Sequence, residues 1–178
     1  MNAFTHRIAF FLATIALSAC SSNPQGASSA VSDSTATDVQ HQEANMIERK
    51  ILDNVADSYL KIKNALVASE FEQARAASVE LLGVVNATEM PEVQQRAKEM
   101  ANVADPEGQI VYFDSLSISL YEYLQQQSGD QRTLYKQYCP MAFDNRGAFW
   151  LSSSEEIKNP YFGDKMLRCG RVEEEVTF

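Results

Sequence analysis

Near the C-terminal end of this sequence, two cysteines each stand close to a methionine: Cys139-Pro140-Met141, and Met166-Leu167-Arg168-Cys169. Thiolate and thioether sulfur are soft, polarisable donors that select Cu(I) and similar d10 ions over Mg or Ca, which prefer oxygen. Neither pair is a CxxC, and their separation is not that of a zinc finger. The same cysteines support a second chemistry. An even pair in an exported domain commonly forms a disulfide, which here would close a loop of about thirty residues and stabilise the fold by about 2–4 kcal/mol. Met141 and Met166 would then be core fillers. Pro140 stiffens the first turn, and Gly163 and Gly170 permit the bends that would bring the two halves together. On residue types alone, both chemistries stand open.

Export is itself an expectation from the first twenty residues. His6 and Arg7 precede an apolar run from Ile8 to Leu17, and Leu17-Ser18-Ala19-Cys20 follows. The run is shorter than the roughly 20 apolar residues a spanning helix needs, so residues 1–19 read as a signal peptide. Small residues before a cysteine form a lipobox, which makes Cys20 the expected site of diacylglycerol attachment and acylation, with palmitate the expected chain. Ser21, where an Asp would retain the protein at the inner membrane, points to lipid anchoring in the outer membrane facing the periplasm. From Ser21 to Ala44 the chain is mostly Ser, Thr, Ala, Gln and Asp, so residues 20–44 are expected to form a lipidated, disordered tether. Residues 45–178 remain as one globular domain, helical over 45–128 and carrying the Cys, Met and aromatic motifs over 133–173.

Of 178 residues, 15 are Lys or Arg and 24 are Asp or Glu; loss of the leader removes Arg7 and no acid. So acidic a chain repels phosphate backbones, which excludes nucleic acid as a partner and leaves the lipid as the membrane contact. Enzymatic chemistry finds little support. His41, the single histidine beyond the leader, falls in the expected tether, so a Ser-His-Asp or Cys-His site has no imidazole inside the fold. No phosphate-binding glycine loop or nucleophile elbow occurs. Glu155-Glu156 and Glu173-Glu174-Glu175 read as solvated faces, Gly83 as a helix packing contact, and Asp144, Asn145 and Asp164 as turn residues.

The elements that must position the sulfurs follow from periodicity. Ile47, Ile51, Leu52, Val55, Tyr59, Ile62 and Leu66 make one helical stripe. Ser69 and Glu72 have the spacing of a capping box that opens a second helix, with Phe71, Ala74, Ala77, Leu81, Leu82 and Val85 on its inner face. A third helix runs from about Pro91 to Val103. A fourth begins at Asp105-Pro106, carries Ile110, Phe113, Leu116, Leu120 and Leu124, and stops at Ser128-Gly129-Asp130. Short connections make neighbouring helices antiparallel. Beyond Thr133, aromatics alternate with Gly and Pro without a helical period. The expected fold is mainly α: an antiparallel bundle of about four helices with a small irregular or short-stranded C-terminal extension.

Three stretches carry a family resemblance: Tyr138-Cys139-Pro140-Met141-Ala142, Gly147-Ala148-Phe149-Trp150-Leu151-Ser152, and Ile157 to Gly170, which contains Asn159-Pro160-Tyr161-Phe162-Gly163. Together they resemble the domain of unknown function 3347, found alone in small lipoproteins and appended to periplasmic adaptor subunits of heavy-metal efflux pumps. The resemblance spans about Ile47 to Val172 and is specific in the final forty residues. It implies a Cu(I) or Ag(I) cargo, with Cys139, Met141, Met166 and Cys169 as ligands and a heavy-metal efflux pump component as partner. The competing expectation is a structural or protein-interaction lipoprotein in which Cys139 and Cys169 are disulfide-bonded and loop aromatics Tyr161 and Phe162 meet a partner.

Overall fold

The computed structural model describes residues 34–127 and 129–178, so the expected signal peptide, Cys20 and the first part of the expected tether lie outside the described residues. The chain forms four successive helices, α1 (Ser34–Val67), α2 (Phe71–Val84), α3 (Pro91–Asn102) and α4 (Pro106–Leu124). Each packs against the next, as the short connections require. The strands β1 (Thr133–Cys139), β2 (Ala148–Ser152) and β3 (Arg171–Thr177) follow, with a 3-10 turn at Gly163–Lys165. They form one antiparallel sheet in the order β2-β1-β3. The fold is therefore mainly helical with a small C-terminal sheet, as the periodicity predicts. No helix among the described residues is long and apolar enough to cross a membrane.

Helix α1 starts eleven residues before the expected domain boundary, so residues 34–44, read from composition as tether, are helical. Ala, Gln and Glu are good helix formers, but residues 39 to 50 are all exposed, including Ile47 from the predicted stripe. Burial begins at Leu52 and takes in Val55, Ala56, Tyr59, Ile62 and Leu66. The exit from α1 also departs from expectation. Ser69 does not cap α2; it sits at φ 59°, where it ends α1. Glu70 N–H donates to Ala65 O at 2.8 Å and Ser69 N–H to Leu66 O at 3.0 Å, the paired bonds of a Schellman motif. Asp105 and Pro106 do act as read, the Asp105 carboxylate accepting from Gly108 N–H at 2.6 Å. Gly83 makes no packing contact, since a Cβ there would meet nothing within 4 Å.

Helices and sheet share one core. The Tyr59 hydroxyl bonds Ser117 of α4 at 2.6 Å and accepts from Leu151 N–H of β2 at 3.1 Å, while its ring stacks on Phe113 at 5.3 Å. Tyr161, expected on an exposed loop, is instead buried, its ring edge-on to Trp150 and Phe143 and its hydroxyl donating to Phe149 O. A phenol ring beside the aromatic rings of Phe113, Phe143 and Trp150 gains more from burial than from water. Phe162 is half-buried. The C-terminus is tied back by paired bonds between Phe178 and Arg132, and the Arg132 guanidinium reaches Asp53 and Asp57 on α1 at 3.1 and 2.6 Å.

Candidate metal or redox centre

Cys139 is the last residue of β1, opposite Ala148 of β2, two positions along from the pair Gln137 and Trp150. Side chains two apart on a strand share a face. Cys139, Gln137, Ala148 and Trp150 therefore line one side of the sheet, where Cys139, Gln137 and Trp150 are fully buried. Gln137 anchors the chain passing over this face, its amide donating to Ser154 O at 2.7 Å. That overlying segment, which runs from β2 to β3, brings Cys169 back to Cys139.

The two thiols meet: Sγ of Cys139 and Sγ of Cys169 lie 2.7 Å apart, and both are free cysteines. They are thirty residues apart in sequence. Cys139 is buried and Cys169 half-buried, so the pair has one covered and one accessible sulfur. Burial, and then the neighbouring Cys139 thiol, push the Cys169 thiol up to about 11, partly opposed by a hydrogen bond from the Met141 backbone. The two methionines join through the main chain. Met141 presents that backbone group to Cys169 while its side chain is 46 % exposed. Met166 is half-buried and its carbonyl accepts from Cys169 N–H at 3.0 Å. The structure thus brings the two cysteines into contact and holds each methionine next to Cys169 by its backbone. No group of three or more His, Cys, Asp or Glu side chains that could hold a metal ion occurs among the described residues. His41 is exposed on the N-terminal part of α1.

Two devices hold this geometry, and the sequence marked turn residues in them but not the bonds that fix them. After Met141 the chain makes a left-handed turn, with Phe143, Asp144 and Asn145 at φ 52°, 55° and 70° and Gly147 at 80°. Such a conformation costs L-residues roughly 1–2 kcal/mol each. It is held by Arg146, whose guanidinium donates to Asp114 of α4 at 2.7 Å and covers the Phe143 ring at 4.6 Å. At Gly147 a Cβ would fall 1.9 Å from the Tyr138 hydroxyl, so only glycine closes the turn. The second device is Asn159, fully buried, whose side-chain amide donates to Cys169 O at 2.8 Å. Asn-Pro in a sequence marks a turn, but nothing in the dipeptide names Cys169 as the partner.

The donor set fits a soft ion better than a hard one. Two thiols in contact are soft donors of the kind Cu(I) and Ag(I) favour, and among the described residues no group of three or more His, Cys, Asp or Glu offers Zn, Ca or Mg a shell. The same contact suits a disulfide, for which the sulfurs must close to about 2.05 Å.

The sequence model of a family described as "Protein of unknown function (DUF3347)" matches residues 55–132. That segment runs from the first buried turns of α1 to the residue before β1. The thiol pair lies beyond it, although the residue-by-residue resemblance was most specific there. No curated protein and no solved structure matches the chain.

Proposed function

We propose, from the match of residues 55–132 to the DUF3347 family model together with the thiol pair, that the chain is a non-enzymatic soft-metal-binding module carrying Cu(I) or Ag(I) through Cys139 and Cys169, with Met141 and Met166 as auxiliary donors. The observation that carries the reading is the meeting of two thiols thirty residues apart, one accessible from outside, each with a methionine close by in sequence. The chain's part is to hold two sulfurs, shield one of them, and leave the other open for cargo to arrive and depart. Thiolates are the ligands, so uptake must release the thiol protons. In this account the module is lipid-anchored through Cys20 to the outer membrane, facing the periplasm. There it buffers the ion or hands it to a heavy-metal efflux pump component.

One observation favours a second reading. The 2.7 Å contact and a thiol held protonated by burial both suit a pair that oxidises once and stays closed, giving a disulfide-stapled scaffold. Anaerobic titration of the reduced protein with Cu(I), against a chromogenic chelator, separates the two. The metal reading expects one tight equivalent, lost in Cys139→Ser/Cys169→Ser; equal uptake by wild type and double variant would refute it. Thiol counting on protein taken directly from the periplasm is the companion test, since a blocked pair that resists mild reductant supports the scaffold.

A further inference from the structure

We infer that Asn159 is the positioning residue that sets the sulfur-to-sulfur spacing of the pair, an assignment that rests on Cys139 and Cys169 acting together as proposed above. The two cysteines are held very differently. Cys139 is fixed by the ladder of β1 against β2. Cys169 belongs to no strand or helix, lying between the 3-10 turn and β3. Its place depends on a few specific bonds, and Asn159 makes the side-chain bond to its carbonyl. The amide Nδ2 of Asn159 donates to Cys169 O at 2.8 Å. Its backbone N–H donates to Leu167 O at 2.8 Å, so the same residue grips the chain on both sides of Arg168.

Asn159 is itself immobilised. Its Oδ1 accepts from Tyr161 N–H at 2.8 Å and its carbonyl from Gly163 N–H at 3.1 Å, while Tyr161 is locked among Trp150, Phe113 and Phe143. The aromatic core therefore orients Asn159, and Asn159 places Cys169. Gly170, at φ 148°, confines the next residue, since a Cβ there would approach the Trp150 ring to 2.9 Å and Tyr138 O to 3.0 Å. A carboxamide suits the position because it needs one donor and one acceptor on the same short side chain. Leucine at this place has neither, and aspartate lacks the donor.

Effective concentration of one thiol at the other is the quantity this bond controls. It is read as the equilibrium between dithiol and intramolecular disulfide in glutathione buffers, where the pair gives up two protons and two electrons to glutathione disulfide and two glutathione thiols form. The experiment uses the full chain with Cys20→Ser, so that only the pair reacts. Asn159→Ala is expected to lower the equilibrium constant for disulfide formation at least tenfold, and to weaken Cu(I) binding in chelator competition by a similar factor. Tyr161→Phe, which removes the buried bond to Phe149 O but leaves Asn159 in place, controls for lost stability and should leave both within about twofold. Should Asn159→Ala fail to fold, Asn159→Asp, which keeps the acceptor facing Tyr161 and loses the donor facing Cys169, carries the same expectation. A folded Asn159 variant whose thiol equilibrium matches that of Tyr161→Phe overturns the assignment. A wild type that takes up no Cu(I) while the thiol equilibrium still shifts removes the metal reading and leaves Asn159 its role.

Discussion

A thiol binds a metal ion only after losing its proton, and burial beside Cys139 pushes Cys169 up to about 11. Cu(I) uptake must therefore strengthen with pH, by about tenfold per pH unit for each proton released, throughout the range below that value. Chelator competition at a series of pH values from about 6 to 8 measures this slope. A flat profile would mean that no thiol gave up a proton on binding. Lys63 supplies a second pH effect, separate from the sulfurs. Burial, and then the like charge of Lys158, lower it to about 8 from the ordinary 10.5, with Glu156 opposing. Between those values the unfolded chain binds more protons than the native one, so Lys63 makes stability rise as pH increases through that window. Cys169 acts in the opposite sense above about 9, where the unfolded thiol ionises and the native one does not. The Lys63 effect is thus cleanest between about pH 8 and 9. Lys63→Met should stabilise the fold at pH 7 by on the order of 1–3 kcal/mol and flatten its pH dependence between about pH 8 and 9, as denaturant melts of the two proteins would show.

At the scale of elements, the same physical rules were readable at some helix ends and hidden at others. Asp105-Pro106 caps α4 as its type and position dictate, and Asp105→Ala should cost about 1 kcal/mol in thermal or denaturant unfolding. Ser69 and Glu72 have capping-box spacing, yet Ser69 closes α1 instead, because the chain must reverse before α2 can begin and a left-handed residue makes that reversal. Spacing shows that a turn exists; which helix the turn residue serves depends on backbone bonds that the sequence does not display. Gly83 lies exposed near the end of α2 with open space beyond it, so Gly83→Ala should raise stability by about 0.5 kcal/mol through reduced unfolded-chain entropy. A loss of stability in that variant would reveal a contact at Gly83 that the structure lacks. Of the left-handed turn after Met141, Asp144 and Asn145 were readable as turn residues, but Phe143 gives no sign of φ > 0, and the bond from Arg146 to Asp114 on a distant helix that holds the turn is not written in the local sequence.

Across the whole molecule, the helical stripes and the short-stranded C-terminal part were legible because burial imposes a period on sequence. Contacts between distant segments impose none, so the sulfur contact was legible only as a possibility, and Tyr161 was misplaced to the surface by its Gly- and Pro-rich setting. The exposed stretch of α1 over residues 39–50 marks where the cooperative unit begins. Removal of residues up to 44 should leave the melting temperature within a few degrees of wild type, because core burial starts at Leu52. The sheet folds over the helices so that β1 supplies one cysteine and the segment returning to β3 the other, the pair we propose as the soft-ion site. X-ray absorption at the copper edge of the Cu(I)-loaded reduced protein tests that claim most directly. The account predicts a first shell made of sulfur alone, reduced in sulfur count by Cys169→Ser; a shell containing nitrogen or oxygen donors, unchanged in that variant, would contradict it.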